Sequence, residues 1–218
     1  GISAAIKYFI FSTIGSIFIL WGTVNLYGFT STLDFNFILN WFDYLQSNLI
    51  LSKIELVPNF IIIGILIKLG SAPVHQWVPD VYSGVNLWIT SFYSIFIKFV
   101  LYFLLLKVSW CFNFNLDVEF IIIFSLIIGC FGALKQLEIK RLLAYGSITH
   151  VSFLLMVDFA SSIIYLLTYI ISLFLFFSVI MLLKLNQNEL IYISDLRYIK
   201  HLNKEFYKQL LNEHRLFE

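Results

Sequence analysis

The sequence predicts an all-α protein, a bundle of about six transmembrane helices with one discontinuous helix among them. Of its 218 residues, 60% are hydrophobic and 12% charged, whereas a soluble domain carries about a quarter of its residues as charged side chains. The apolar residues form long runs, and a helix needs about 20 of them to cross the hydrocarbon layer. Membrane-spanning strands are excluded, because they alternate apolar and polar residues in segments of about ten.

Six runs satisfy the length requirement, at roughly 6–28, 56–81, 86–107, 118–137, 142–160 and 162–184. The first is long enough to read as a span rather than a cleaved leader. The second is anomalous. As one helix it would be about 39 Å long, and it contains Gly70, Pro73 and Pro79. Proline removes a backbone donor and clashes with the preceding turn, so a break is predicted between Gly70 and Pro73, with Pro79 extending it. Interrupted backbone survives at membrane depth only where it is buried in protein or lines a wet cavity, which makes this segment the first place to look for a transport site.

Loop charges orient the bundle. Six spans put the N-terminus, the 82–85 turn, the 135–141 connection and the tail on one side, here side A. The other side, side B, holds the connections 29–55, 107–119 and 158–161. Side A carries ten Lys or Arg and side B only Lys53 and Lys107, so side A faces the compartment from which the protein was inserted. Two cations, Lys68 and Lys98, belong to neither side. The tail 185–218 is polar and mixed in charge, with Tyr192, Leu196, Ile199 and Leu202 at helical spacing, as in an amphipathic interfacial or partner-packed helix.

Several function classes drop out. A net charge of +1 leaves no electrostatic footprint for nucleic acid. Cys111 and Cys130 each adjoin an apolar run and are expected as buried thiols rather than a bridge. No Gly-rich phosphate loop, CxxC pair, metal-ligand cluster or paired haem histidines stands out, so no cofactor, metal or redox centre is expected in this chain.

The ionisable residues inside the spans remain. Lys68 and Lys98 each lie about twelve residues into a span, which is about 18 Å along the helix axis and near mid-bilayer. A charge there must face protein, a partner or water. Each lysine is therefore either a proton-exchanging group or a permanently paired one. His75 follows the break and His150 lies in the fifth span. Histidine titrates near neutral pH, so both are candidate relays, the alternative being a histidine hydrogen-bonded to a neighbour. Lys135 and Gln136 near the side-A end of the fourth span either extend a polar route or anchor it at the interface.

Three stretches carry a family resemblance. Lys68 to Gly84 reads K-L-G-S-A-P-V-H-Q-W-V-P-D-V-Y-S-G, and Ala133 to His150 reads A-L-K-Q-L-E-I-K-R-L-L-A-Y-G-S-I-T-H. Ala5 to Phe9 reads A-I-K-Y-F. In this order they resemble the antiporter-like, proton-translocating subunits of respiratory complex I, and P-D-V-Y-x-G is most similar to the NADH dehydrogenase subunit 2 group. Val74, Gly146, Ser152 and Val85-Asn86-Leu87 depart from that pattern.

The resemblance implies a fold of two inverted five-helix repeats, each with a discontinuous helix. Part of the first repeat would run to about residue 108, and part of the second from about 118 to 184. It implies that Lys68, Lys98 and His150 form a proton relay in a chain without redox chemistry of its own, coupled to quinone reduction elsewhere in an NADH:ubiquinone oxidoreductase. An earlier helix with its glutamate and a second discontinuous helix with its lysine are lacking, which implies a split subunit or a fragment and a partner chain supplying them. Other membrane-arm subunits and lipids are the expected partners. A non-pumping scaffold, a cation/proton antiporter subunit or a membrane-bound hydrogenase subunit are the competing readings. Phe 24 and Tyr 12 against Pro 3 suggest an AT-rich coding genome, hence the mitochondrial inner membrane, with an AT-rich bacterium as the alternative.

Overall fold

The computed structural model describes residues 2–46, 56–111, 118–184 and 193. In chain order the helices are α1 (Ile2–Thr30), α2 (Phe35–Gln46), α3 (Leu56–Leu69), α4 (Trp77–Gly84), α5 (Leu87–Phe92), α6 (Lys98–Cys111), α7 (Val118–Leu134), α8 (Ile139–Met156) and α9 (Phe159–Lys184). A π-helical turn, Tyr93–Ile97, joins α5 to α6 without a gap. Among the described residues, three helical stretches are long and apolar enough to cross a membrane alone: Ile2–Thr30, Leu87–Ser109 and Ala160–Met181. The other expected spans are shorter apolar helices, α3 and α7, and the more polar α8, whose 18 residues include Lys140 and Arg141. Packed among longer neighbours, these need not be apolar on every face.

The hydrophobic clusters sort the helix ends. At one end, Leu26 of α1, Ile38 of α2, Val57 of α3, Leu105 and Val108 of α6 and Val151 of α8 pack together. At the other, Leu87 of α5, Ile139 of α8 and Leu173 and Phe177 of α9 do so. The grouping matches the alternation inferred for sides B and A. Single contacts agree with it. Lys140 Nζ donates to Val85 O at 2.7 Å on side A, and Lys107 Nζ lies 4.5 Å from the Phe35 ring centroid on side B.

The break in the second span is built around Leu66, whose carbonyl accepts from Gly70 N–H at 3.1 Å, Ser71 N–H at 3.1 Å and Ser71 Oγ at 3.0 Å. Gly70 has φ +79°, a conformation in which only glycine is unstrained, and a Cβ there would sit 2.3 Å from Val78 Cγ2. The Ala72–Pro73 peptide is cis. Ala72 N–H donates to Ser125 Oγ of α7 at 3.0 Å, so the buried amide that the unwound turn leaves unpaired is satisfied from another helix. Pro79 corrects the expectation. It lies third in α4 rather than in the break, and the first N–H groups of a helix have no intrahelical partner to lose.

Two other expectations need restating. Cys130 is an exposed thiol on α7, not a buried one. The 185–218 tail lies outside the described residues except for Ile193, whose N–H donates to Leu137 O at 3.0 Å.

Candidate functional site

Lys68 sits in the last turn of α3, just before the break. The aliphatic stem of Lys68 lies against α1 at Gly15, where a Cβ would approach Lys68 Cγ to 2.9 Å and Gly64 O to 3.0 Å. The lysine is half-buried.

Lys98 is the first residue of α6, directly after the π turn. A π turn carries one residue more than an α turn, so it rotates the helix face that follows by about 100°. Lys98 is 8% exposed, and its Nζ donates to the Ser147 carbonyl of α8 at 3.1 Å. Both lysines line one cavity of about 260 Å³, together with Tyr8, Ser12, Trp77, Tyr82 and Tyr93. The indole N–H of Trp77 is buried with no hydrogen-bond partner among the described residues.

His150 lines a second cavity of about 350 Å³ with Ser147, Tyr169 and Ser172. Its Nδ1 lies 2.5 Å from the Tyr165 hydroxyl, and its ring centroid is 4.3 Å from that of Tyr169. The buried Tyr169 hydroxyl has no hydrogen-bond partner among the described residues. Ser147 joins the two chambers, since its carbonyl holds Lys98 and the residue also lines the His150 cavity.

The structure thus brings Lys68, Lys98 and His150 into one sequence of chambers. Lys135 stands apart, exposed in the turn after α7. Gln136 also turns back, donating from Nε2 to Gly132 O at 3.1 Å. His75 contacts Pro73 O through Nδ1 at 3.1 Å and lines neither cavity. Tyr8, Ser147 and the Tyr165 and Tyr169 pair escaped the sequence reading. The tyrosine spacing of four on a largely apolar helix was a usable signal, because residues i and i+4 share a face. Nothing comparable marks Ser125, whose role depends on a loop 53 residues away. Among the described residues no group of three or more His, Cys, Asp or Glu could hold a metal ion.

Comparison with known proteins agrees with this architecture. The profile of the family described as NADH:quinone oxidoreductase/Mrp antiporter, transmembrane, matches residues 1–208. NADH-quinone oxidoreductase subunit N of Ruthia magnifica is 33% identical, covering 93% of this chain and 44% of its own length. NADH-ubiquinone oxidoreductase chain 2 of Rhizopus oryzae is 37% identical, covering 71% of this chain and 30% of its own length. The chain spans less than half the length of these relatives. Respiratory complex I from Thermus thermophilus contains a similar chain, with 29% identity and a TM-score of 0.69 over 82% of this chain and 40% of that one. The Mrp complex from Dietzia sp. DQ12-45-1b shares the fold at 18% identity, with a TM-score of 0.71 over 79% of this chain and 34% of that one. With a membrane bundle broken at Gly70 and a profile match along nearly its whole length, this chain belongs to the NADH:quinone oxidoreductase/Mrp antiporter family of integral membrane proteins.

Proposed function

We propose that this chain carries protons across the membrane as part of the membrane arm of an NADH:quinone oxidoreductase. The observation that carries the reading is the shared cavity of Lys68 and Lys98, followed by the Ser147 link to the His150 chamber. A proton passes between ionisable groups when each is reached by a hydrogen bond or a bridging water, and both chambers offer polar groups to water. A neighbouring charge shifts the proton affinity of Lys68, the proton moves laterally to Lys98, and release to one side resets the path. Hydride and quinone chemistry belongs elsewhere in the assembly, and this chain supplies the proton route. The other membrane-arm subunits are its partners. The AT-rich residue usage favours the mitochondrial inner membrane, with side A toward the matrix.

The test is proton pumping per NADH in sealed vesicles holding the assembled complex. A Lys68→Ala, Lys98→Ala double variant that assembles should lose the contribution of this chain. Unchanged pumping would favour the scaffold reading and sink this one.

A further inference from the structure

The first turns of α1 meet α4 in three layers that step inward from side A. Outermost, a Cβ on Gly84 would lie 2.5 Å from Ala4 Cβ, so the Ala4 methyl packs directly on the Gly84 backbone. Next, Lys7 Nζ of α1 donates to Asp80 Oδ2 of α4. Innermost, the Tyr8 ring packs at 5.8 Å from Trp77 and at 5.0 Å, edge to face, from Tyr93. Those three aromatic residues line the cavity that holds Lys68 and Lys98. Lys7 immediately precedes Tyr8, and Asp80 lies three residues, or about 4.5 Å of helix rise, beyond Trp77 toward side A.

We infer that the Lys7–Asp80 ion pair is a latch that holds the Tyr8, Trp77 and Tyr93 roof closed, and that breaking it opens the lysine cavity to water from side A. The pair is half exposed, with side chains at 50% and 40%, and such pairs add little to stability. Helix packing at Ala4 and Gly84 holds α1 against α4, which leaves the ion pair free to break without unfolding either helix. Asp80 lies in the first turn of α4 and is held there by the helix, not by Lys7. A passing charge in the cavity or a rise in ionic strength is therefore enough to shift the balance between closed and open. Lys7 and Asp80 act through Tyr8 and Trp77 and are positioning residues.

Thiol access tests the latch without any proton flux, so this inference and the proton-pathway reading on which it rests fail separately. In a Cys111→Ser, Cys130→Ser background, Ser12→Cys places a thiol on the cavity wall. A membrane-impermeant methanethiosulfonate reagent is added from side A to sealed vesicles holding the assembled complex. Lys7→Met and Asp80→Asn, each sparing the Gly84 contact, should each raise the labelling rate about fivefold, the factor corresponding to the upper end of an exposed pair. Asp80→Glu should restore slow labelling. Added salt should speed labelling of the parent and leave Asp80→Asn unchanged. An assembled Lys7→Met or Asp80→Asn complex that labels at the parental rate would overturn the latch, as would labelling of Asp80→Asn that still rises with salt. Altered labelling with unchanged pumping would keep the latch and remove the proton reading.

Discussion

Lys98 of α6 donates through Nζ to the main-chain carbonyl of Ser147 on α8, so among the described residues the more buried lysine is held by backbone and has no carboxylate partner. That arrangement suits a group that gains and loses a proton, because no fixed opposite charge locks either state. Lys98→Met should leave the helix assembled and lower proton transfer through this chain by about two orders of magnitude, the usual contribution of a positioned acid or base. Lys107 is the control. It is exposed and stacks on Phe35, so Lys107→Ala should cost no more than about 1 kcal/mol and leave pumping per NADH intact. Equal loss in both variants would show that charge in general, not Lys98, is being read.

Tyr165→Phe removes the hydroxyl next to His150 Nδ1 while keeping the ring. The expected result is slower proton passage with a normal amount of assembled complex, read as pumping per NADH alongside the complex yield on native gels. Tyr169→Phe should behave differently, since its hydroxyl has no hydrogen-bond partner among the described residues to lose.

The unwound turn depends on Ser125, which is fully buried and accepts from Ala72 N–H. Ser125→Ala leaves a buried amide unsatisfied, at about 1–3 kcal/mol. A lower thermal midpoint of the solubilised protein is the expected readout, and Ser125→Thr, which retains the acceptor, should lose less. An unchanged midpoint in Ser125→Ala would mean that another group satisfies Ala72.

Close packing of α1 on α3 sets where Lys68 lies. A Cβ on Gly64 would meet Gly15 O at 2.6 Å and Ile19 N at 3.0 Å, both backbone atoms that cannot step aside. Gly64→Val should therefore separate the helices and lower thermal stability by about 1–3 kcal/mol, the usual cost of overpacking. Gly15→Ala presses on the flexible stem of Lys68 at 2.9 Å and on the Gly64 carbonyl at 3.0 Å. Its expected effect is reduced pumping with a smaller stability loss than Gly64→Val, whose closest backbone contact is 2.6 Å.

Composition and run length by themselves determined the class of this protein. Apolar surface on this scale has no solvent but lipid, and the Gly70 to Pro73 stretch cannot continue a helix whatever surrounds it. The candidate lysines were legible for the same local reason, because a charge at mid-span is costly in any fold. What local sequence did not determine was who meets whom. Pro79 looked like a breaker and became part of the first turn of α4, because its effect depends on whether its N–H was needed. Lys135 was open to two readings, a continued polar route or an interfacial anchor, and only its exposure in the turn after α7 favours the anchor, because position along a span does not say which face points inward. Ser147, Ser125, Tyr8 and the Lys7–Asp80 pair gained their roles from residues 49, 53, 69 and 73 positions away. Such contacts follow from the angles at which whole helices pack, a property summed over many weak contacts, so only the assembled tertiary structure decided them.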